Sequence, residues 1–238
     1  MAPAVQAMSE FVSRVGEFLG AGSTWQGSGS IPVRLWEHLW ISTLSVLIAA
    51  VVILPPAVFI AHRRKGALLA SSIVNIGRAV PSFGILAIAV LWFLGVVGLG
   101  PWLAFPALIA LAAPPMFTNT VAAFETVPPG VVEAARGMGM TERRIITGVE
   151  LPLALPVIME GIRIAYVQVI ATATLAALVA GPGLGRFIVD GFAKRRGEGE
   201  LFTGAVLVAL LAVSIEMAFS AFEKMVTPMG IRRAGNER

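Results

Sequence analysis

Apolar runs of 22 to 24 residues recur along this chain. Leu39–Ala61, Ala79–Gly100, Pro101–Phe124 and Ile164–Gly185 carry no charged residue, and Leu201–Phe222 carries one, Glu216. A helix needs about 20 apolar residues to cross a bilayer, so the pattern predicts an all-α, polytopic membrane protein with about five transmembrane helices. The second run really begins near Gly66, with Arg78 its one charge before Gly100. As one straight helix it would reach about 52 Å, against a hydrocarbon core of about 30 Å. Residues 66–77 are therefore expected to follow the inner interface or bend, with Gly77 and Pro81 marking the break. Six spans with a re-entrant piece there is the alternative.

Residues 1–35 hold no span. Glu10, Phe11, Arg14, Val15, Glu17, Phe18 and Leu19 can make a short interfacial helix, and the Gly- and Ser-rich residues 20–30 read as a connector. Residues 36–226 form the transmembrane domain and 227–238 a cytoplasmic tail.

Between the third and fourth runs lies a polar island, residues 128–152. Pro128 and Pro129 suit the first turn of a helix, where a missing N–H costs nothing. Gly137 and Gly139 interrupt that helix, and Thr141 can cap a second. The second helix puts Ile145, Val149 and Leu153 on one face and Arg143, Thr147 and Glu150 on another. Such an amphipathic pair between two spans is shaped to meet a partner at the membrane surface.

Charge sets the orientation. The short loop His62-Arg63-Arg64-Lys65-Gly66 belongs in the cytoplasm by the positive-inside rule. Five spans then place the N-terminus outside, and the island and the C-terminus inside. Lys194-Arg195-Arg196 falls outside, against the rule. The five Trp at 25, 36, 40, 92 and 102 fall towards the outer side, as interface anchors.

Composition agrees with a membrane protein: 57% hydrophobic and 13% charged residues, against about 25% charged in soluble domains. There is no cysteine, hence no disulfide or thiolate chemistry. No Gly-x-x-x-x-Gly-Lys-Ser/Thr loop occurs, so the chain is not expected to bind or split ATP. His38 and His62 flank one span, fit no metal-ligand spacing and read as interface residues. No catalytic constellation, cofactor site or basic aromatic face for nucleic acid is evident. Charged and polar groups within spans are pathway or gate candidates: Asn75, Arg78, Pro81, Asn119, Glu160, Arg163, Gln168 and Thr172. Glu160 and Arg163 can pair at i, i+3, and Glu216 can meet a basic group on a neighbouring helix. Pro55-Pro56 and Pro114-Pro115 can break the first and third spans. A gated channel or secondary transporter is the competing class, but it should show its own coupling charges or an internal repeat, and no clear repeat is present.

Glu133-Ala134-Ala135, three residues, Gly139, nine residues, then Val149-x-Leu151-Pro152 resembles the cytoplasmic coupling loop of bacterial ABC-importer permeases. Val149 stands where Ile is usual. Ile31–Leu39, Asn75–Gly84, Ala112–Asn119 and Ala171–Gly185, the last with its Gly-rich end, look like the osmoprotectant branch of that family, with methionine-type permeases as near neighbours. The resemblance implies that Glu133, Ala134, Ala135, Gly137, Gly139, Arg143, Arg144, Leu151 and Pro152 couple to a dimer of ATP-binding subunits. It implies further partners: a second permease chain, the same or related, and an extracytoplasmic solute-binding protein that Lys194, Arg195 and Arg196 can meet. The implied cargo is a quaternary amine such as glycine betaine, choline or carnitine. Gly139 is expected where the loop's backbone approaches that of the ATPase subunit.

Overall fold

The computed structural model describes residues 2–64, 72 and 82–226. Every regular element among them is helical. In chain order these are α1 (Ala2–Gly20), the single turn α2 (Gly22–Trp25), α3 (Ile31–Arg63), α4 (Ser82–Val97), α5 (Phe105–Glu125), α6 (Pro129–Gly137), α7 (Glu142–Ile145), α8 (Leu151–Thr172), α9 (Gly185–Ala193) and α10 (Glu198–Val226). Short 3-10 segments at Pro101–Leu103 and Ala173–Val179 lead into α5 and follow α8, and a π-turn, Ile146–Glu150, joins α7 to α8.

Among the described residues, four stretches are long and apolar enough to cross a membrane, Ile31–Arg63, Pro101–Glu125, Glu142–Val179 and Glu198–Phe222, and Gly84–Val96 is a shorter apolar helix. The four to five apolar helices follow the pattern of runs. The proposed bend over residues 66–77 and Pro81 lies, apart from residue 72, outside the described residues.

Two expectations are corrected. The paired prolines do not break their spans: α3 runs through Pro55 and Pro56, and α5 through Pro114 and Pro115. Without competing water, neighbouring groups and small local adjustments satisfy the freed backbone. Nor does the fourth span wait for Ile164. Helical structure runs without a break from Glu142, and Glu160 and Arg163 are carried on it as an i, i+3 pair. The π-turn ends at Glu150, two positions before Pro152. A Pro ring in an α-helix collides with the carbonyl four residues back, and the wider π-turn relieves that crowding.

The described residues divide into two compact units. One takes its residues from 1–45, 81–109 and 168–213. Its core joins Ile31, Leu184, Phe187 and Val208, with Phe18 and Leu35 against them. It contains all five Trp, each exposed. Trp40, Trp102 and Phe105 pack on one another, with ring centroids 5.6 to 6.5 Å apart. α1 is seated on the start of α10. Phe11 meets Phe202 edge-on at 5.1 Å, Arg14 pairs with Glu198 at 2.7 Å, and a Cβ on Gly199 would stand 2.3 Å from the Arg14 carbonyl. Val5, Met8 and Val12 remain exposed on α1, an apolar stripe of the kind an interfacial helix carries.

His38 overturns its assignment as an interface residue. It is 1% exposed, and its Nε2 hydrogen-bonds the Ile170 carbonyl at 2.9 Å. The neighbouring Glu37 accepts the Gly183 N–H at 3.0 Å, and a Cβ at Gly183, whose φ is +109°, would lie 3.1 Å from His38 Nδ1. The Gly-rich end of the fourth apolar run is thus clasped to the beginning of α3. No periodic pattern signals this contact, which joins residues more than 130 positions apart.

The other unit takes its described residues from 46–64, 72, 110–167 and 214–226. Phe117, Phe124, Val127, Val132, Ala135, Ile145, Ala154 and Ile158 form its core, together with Ala57 and Ala61 of α3. α5 and α8 cross at a small residue: a Cβ on Gly161 would sit 2.6 Å from Asn119 Cβ and 2.8 Å from the Pro115 carbonyl. Close approach through Gly is how membrane helices gain packing contact where lipid offers no hydrophobic drive.

Candidate functional site

The polar island folds as its residues direct. Pro129 opens α6, with Pro128 in the extended conformation before it. α6 ends in a Schellman turn: the Gly139 N–H donates to the Arg136 carbonyl at 2.9 Å, and the Met140 N–H to the Ala135 carbonyl at 3.2 Å. That closure needs a left-handed residue after the helix, and Gly139 supplies it with φ +80°. A Cβ on Gly139 would meet nothing within 4 Å in this chain, so its own backbone already demands Gly. Thr141 takes the N-cap position of α7 in extended backbone, but its hydroxyl makes no cap hydrogen bond. Ile145 is fully buried and Val149 packs against the same core, whereas Leu153 is exposed. The apolar face expected of the second helix therefore stops at Val149, because the π-turn rotates Leu153 out of register.

α6 presents two faces. Val132 and Ala135 are buried against the core. Val131, Glu133, Ala134, Gly137 and Met138 are exposed, Met138 at 75%. Arg143, Arg144 and Pro152 are exposed as well, and Leu151 packs against the core.

Behind α6 lies a charged chain that the sequence reading did not assemble. Glu150 is 2% exposed. Its Oε2 stands 2.5 Å from His62 Nδ1, and Glu142 Oε2 stands 2.9 Å from His62 Nε2. Glu142 in turn accepts two hydrogen bonds from Arg136, from Nε at 2.9 Å and Nη2 at 3.0 Å. This forked pair is the strong geometry for a guanidinium and a carboxylate, and Glu142 holds the Arg136 guanidinium above its ordinary pKa. His62, placed at the interface by its sequence position, is instead a bridge between two carboxylates. Among the neighbouring cations, Arg63 lies 4.2 Å from the Phe59 ring centroid, and Arg64 donates to the Val127 carbonyl at 3.3 Å.

The pathway candidates fall in different places. Glu160, Arg163 and Asn119 belong to the unit that holds the island. Arg163 pairs with Glu160 and, at 3.5 Å, with Glu216 of α10, which supplies the partner expected for Glu216. Asn119 donates to the Pro115 carbonyl at 2.9 Å and packs beside Gly161. Gln168, exposed, and Thr172, half-buried, belong to the other unit. Asn75, Arg78 and Pro81 lie outside the described residues. Of the three basic residues expected to meet a binding protein, Lys194 is tied to Glu200 at 2.5 Å, and Arg195 and Arg196 are exposed.

Comparison with known proteins agrees with this geometry. Residues 53–228 match the family described as "Binding-protein-dependent transport system inner membrane component". The carnitine transport permease protein OpuCB of Listeria monocytogenes is 38% identical over 205 residues, covering 85% of this chain and 90% of that protein. The choline transport system permease protein OpuBB of Bacillus subtilis (strain 168) is 36% identical over 86% of this chain and 92% of its own. Among solved structures, an inward-facing MetNI methionine ABC transporter aligns with TM-score 0.72 and 26% identity, over 83% of this chain and 96% of the matched one. The chain belongs to the family of binding-protein-dependent transport system inner membrane components, and it is a permease subunit of a bacterial ABC importer, a multi-pass protein of the plasma membrane.

Proposed function

We propose that this permease moves quaternary-amine osmoprotectants such as glycine betaine, choline or carnitine inward by alternating access, driven by ATP hydrolysis on a separate pair of ATP-binding subunits. The observation that carries the coupling is the outer face of α6. Val131, Ala134 and Met138 recur at i, i+3, i+7 and stand exposed beside Glu133, Arg143 and Arg144. That is the form of an amphipathic helix made to enter a groove, while Val132 and Ala135 fix its other face to the protein. An ATPase subunit is the partner, with residues 128–152 as its contact.

The cargo follows from the relatives' cargo, carnitine and choline at 38% and 36% identity. A quaternary ammonium favours the faces of aromatic rings. Here Tyr166 packs edge-on with Phe219 at 5.6 Å, so its ring is already engaged. Selection is accordingly assigned to an extracytoplasmic binding protein, with the exposed Arg195 and Arg196 as its contact candidates, and the permease is paired with a second permease chain. The methionine-type likeness supports the second reading, an importer of another small solute. Uptake by proteoliposomes holding the whole importer tests both: glycine betaine, choline and carnitine should compete with one another and methionine should not. Uptake of methionine alone would replace the first reading with the second. Failure of an ATPase subunit to co-purify with the intact chain would overturn the coupling assignment.

A further inference from the structure

We propose that His62 is a positioning residue for transport: as an imidazolium shared by Glu142 and Glu150, it fastens the coupling segment to the end of α3 and carries that segment's displacement into the first span. The inference rests on reading residues 128–152 as the coupling loop.

With both carboxylates ionised, the contacts require a charged ring. Both ring nitrogens face carboxylate oxygens, and an ionised carboxylate only accepts. Each nitrogen must therefore donate, which requires a hydrogen on both. The chain Glu150, His62, Glu142, Arg136 then alternates in sign and sums to zero. A buried carboxylate is tolerated when a paired charge and hydrogen bonds replace its water, and His62 does this for Glu150. An interface histidine would keep one nitrogen in solvent; this side chain is 9% exposed.

The placement of the two carboxylates gives the bridge its mechanical meaning. Glu142 opens α7, and Glu150 ends the π-turn. His62 thus holds both ends of a nine-residue segment, and through Glu142 and Arg136 it reaches α6, the helix offered to the ATPase. A push on α6 has two exits. One is covalent, through the π-turn into α8. The other crosses His62 into α3. A bridge of two charge-assisted hydrogen bonds adds to the packing of Ile145 a contact fixed in both distance and direction.

The test uses the assembled importer in proteoliposomes, with solute uptake and ATP hydrolysis measured together. His62→Gln keeps a donor but no charge, and it leaves Glu150 uncompensated. Solute moved per ATP should fall at least about tenfold, because the bridge into α3 is broken and Glu150 is left buried without its partner. The ATPase subunit should still co-purify, because Val131, Ala134 and Met138 are untouched. Adding Glu150→Gln removes the orphaned charge, and the double variant should recover to within about threefold of the parent, as coupled sites do. If the single variant does not accumulate in the membrane, recovery of accumulation and coupling in the double variant reports the same pairing. An unchanged solute-to-ATP ratio in His62→Gln, or a double variant no better than the single, overturns the proposal. Gly139→Val separates the two levels. If it also leaves coupling normal, the coupling-loop reading falls; if it uncouples while His62→Gln does not, only the role of His62 falls.

Discussion

Gly139 offers a prediction whose size can be worked from the turn itself. Its φ of +80° is left-handed, where an L-residue with a Cβ costs about 1–2 kcal/mol. Relaxing to negative φ would give up the bonds to the Arg136 and Ala135 carbonyls, each worth about 1 kcal/mol. Either route takes Gly139→Ala to about 1–2 kcal/mol, a factor of roughly 5–30 in the population of the formed turn. Gly139→Asn should lose much less, because Asn tolerates the left-handed region, and Gly139→Val more, because its χ1 is stiff. Amide hydrogen exchange at Gly139 and Met140, read beside solute uptake, checks the order Gly, Asn, Ala, Val. Exchange unchanged in Gly139→Ala would refute the strain argument. Asn as damaging as Ala to uptake, with the turn still protected, would instead show that the space above Gly139 is filled by the ATPase subunit, the reason first expected from the sequence.

Four further outcomes are expected. Gly161→Leu should destabilise the protein by about 1–3 kcal/mol through overpacking where α5 and α8 cross, seen as a lower thermal midpoint in detergent; an unchanged midpoint would mean the crossing is loose. Arg163→Gln should cost more stability than Glu216→Gln, since the first leaves two carboxylates facing each other and the second leaves Arg163 its Glu160 partner; the same melts decide. Replacing Arg195 and Arg196 with Ala should weaken binding-protein docking most at low salt, and Lys194→Ala should matter less because Glu200 holds it; docking insensitive to all three at every ionic strength would remove this surface from the interface. A reporter fused after Arg238 should be cytoplasmic, and an extracytoplasmic signal would overturn the five-span orientation.

The helices and the two-helix form of the polar island were legible because their causes are local. Length and apolarity mark spans, and Pro128-Pro129, Gly137 and Gly139 punctuate the island at fixed offsets. Span boundaries were less legible: the charge-free run starts at Ile164, whereas the helix starts at Glu142 and carries Glu160 and Arg163 as the expected i, i+3 pair. The bridge at His62 was illegible for another reason. His62 and Glu150 are 88 positions apart, neither stands in a recognisable spacing, and Glu150 was assigned to a polar face. Only the fold brings a buried acid to a histidine. His38 with Ile170 repeats the lesson, since a histidine beside an apolar run looks the same whether its ring points to headgroups or to a carbonyl.

The seat of α1 carries a consequence for how such chains diverge. With the Arg14 carbonyl 2.3 Å from where a Cβ on Gly199 would be, the two backbones leave no room for any side chain between them. Position 199 therefore cannot drift while α1 keeps its seat. In a relative lacking this N-terminal helix, the same position is released, and any small or large residue becomes acceptable at the head of the last span. An alignment of family members should then show glycine at that position following the presence of the helix, branch by branch, whatever solute each member carries.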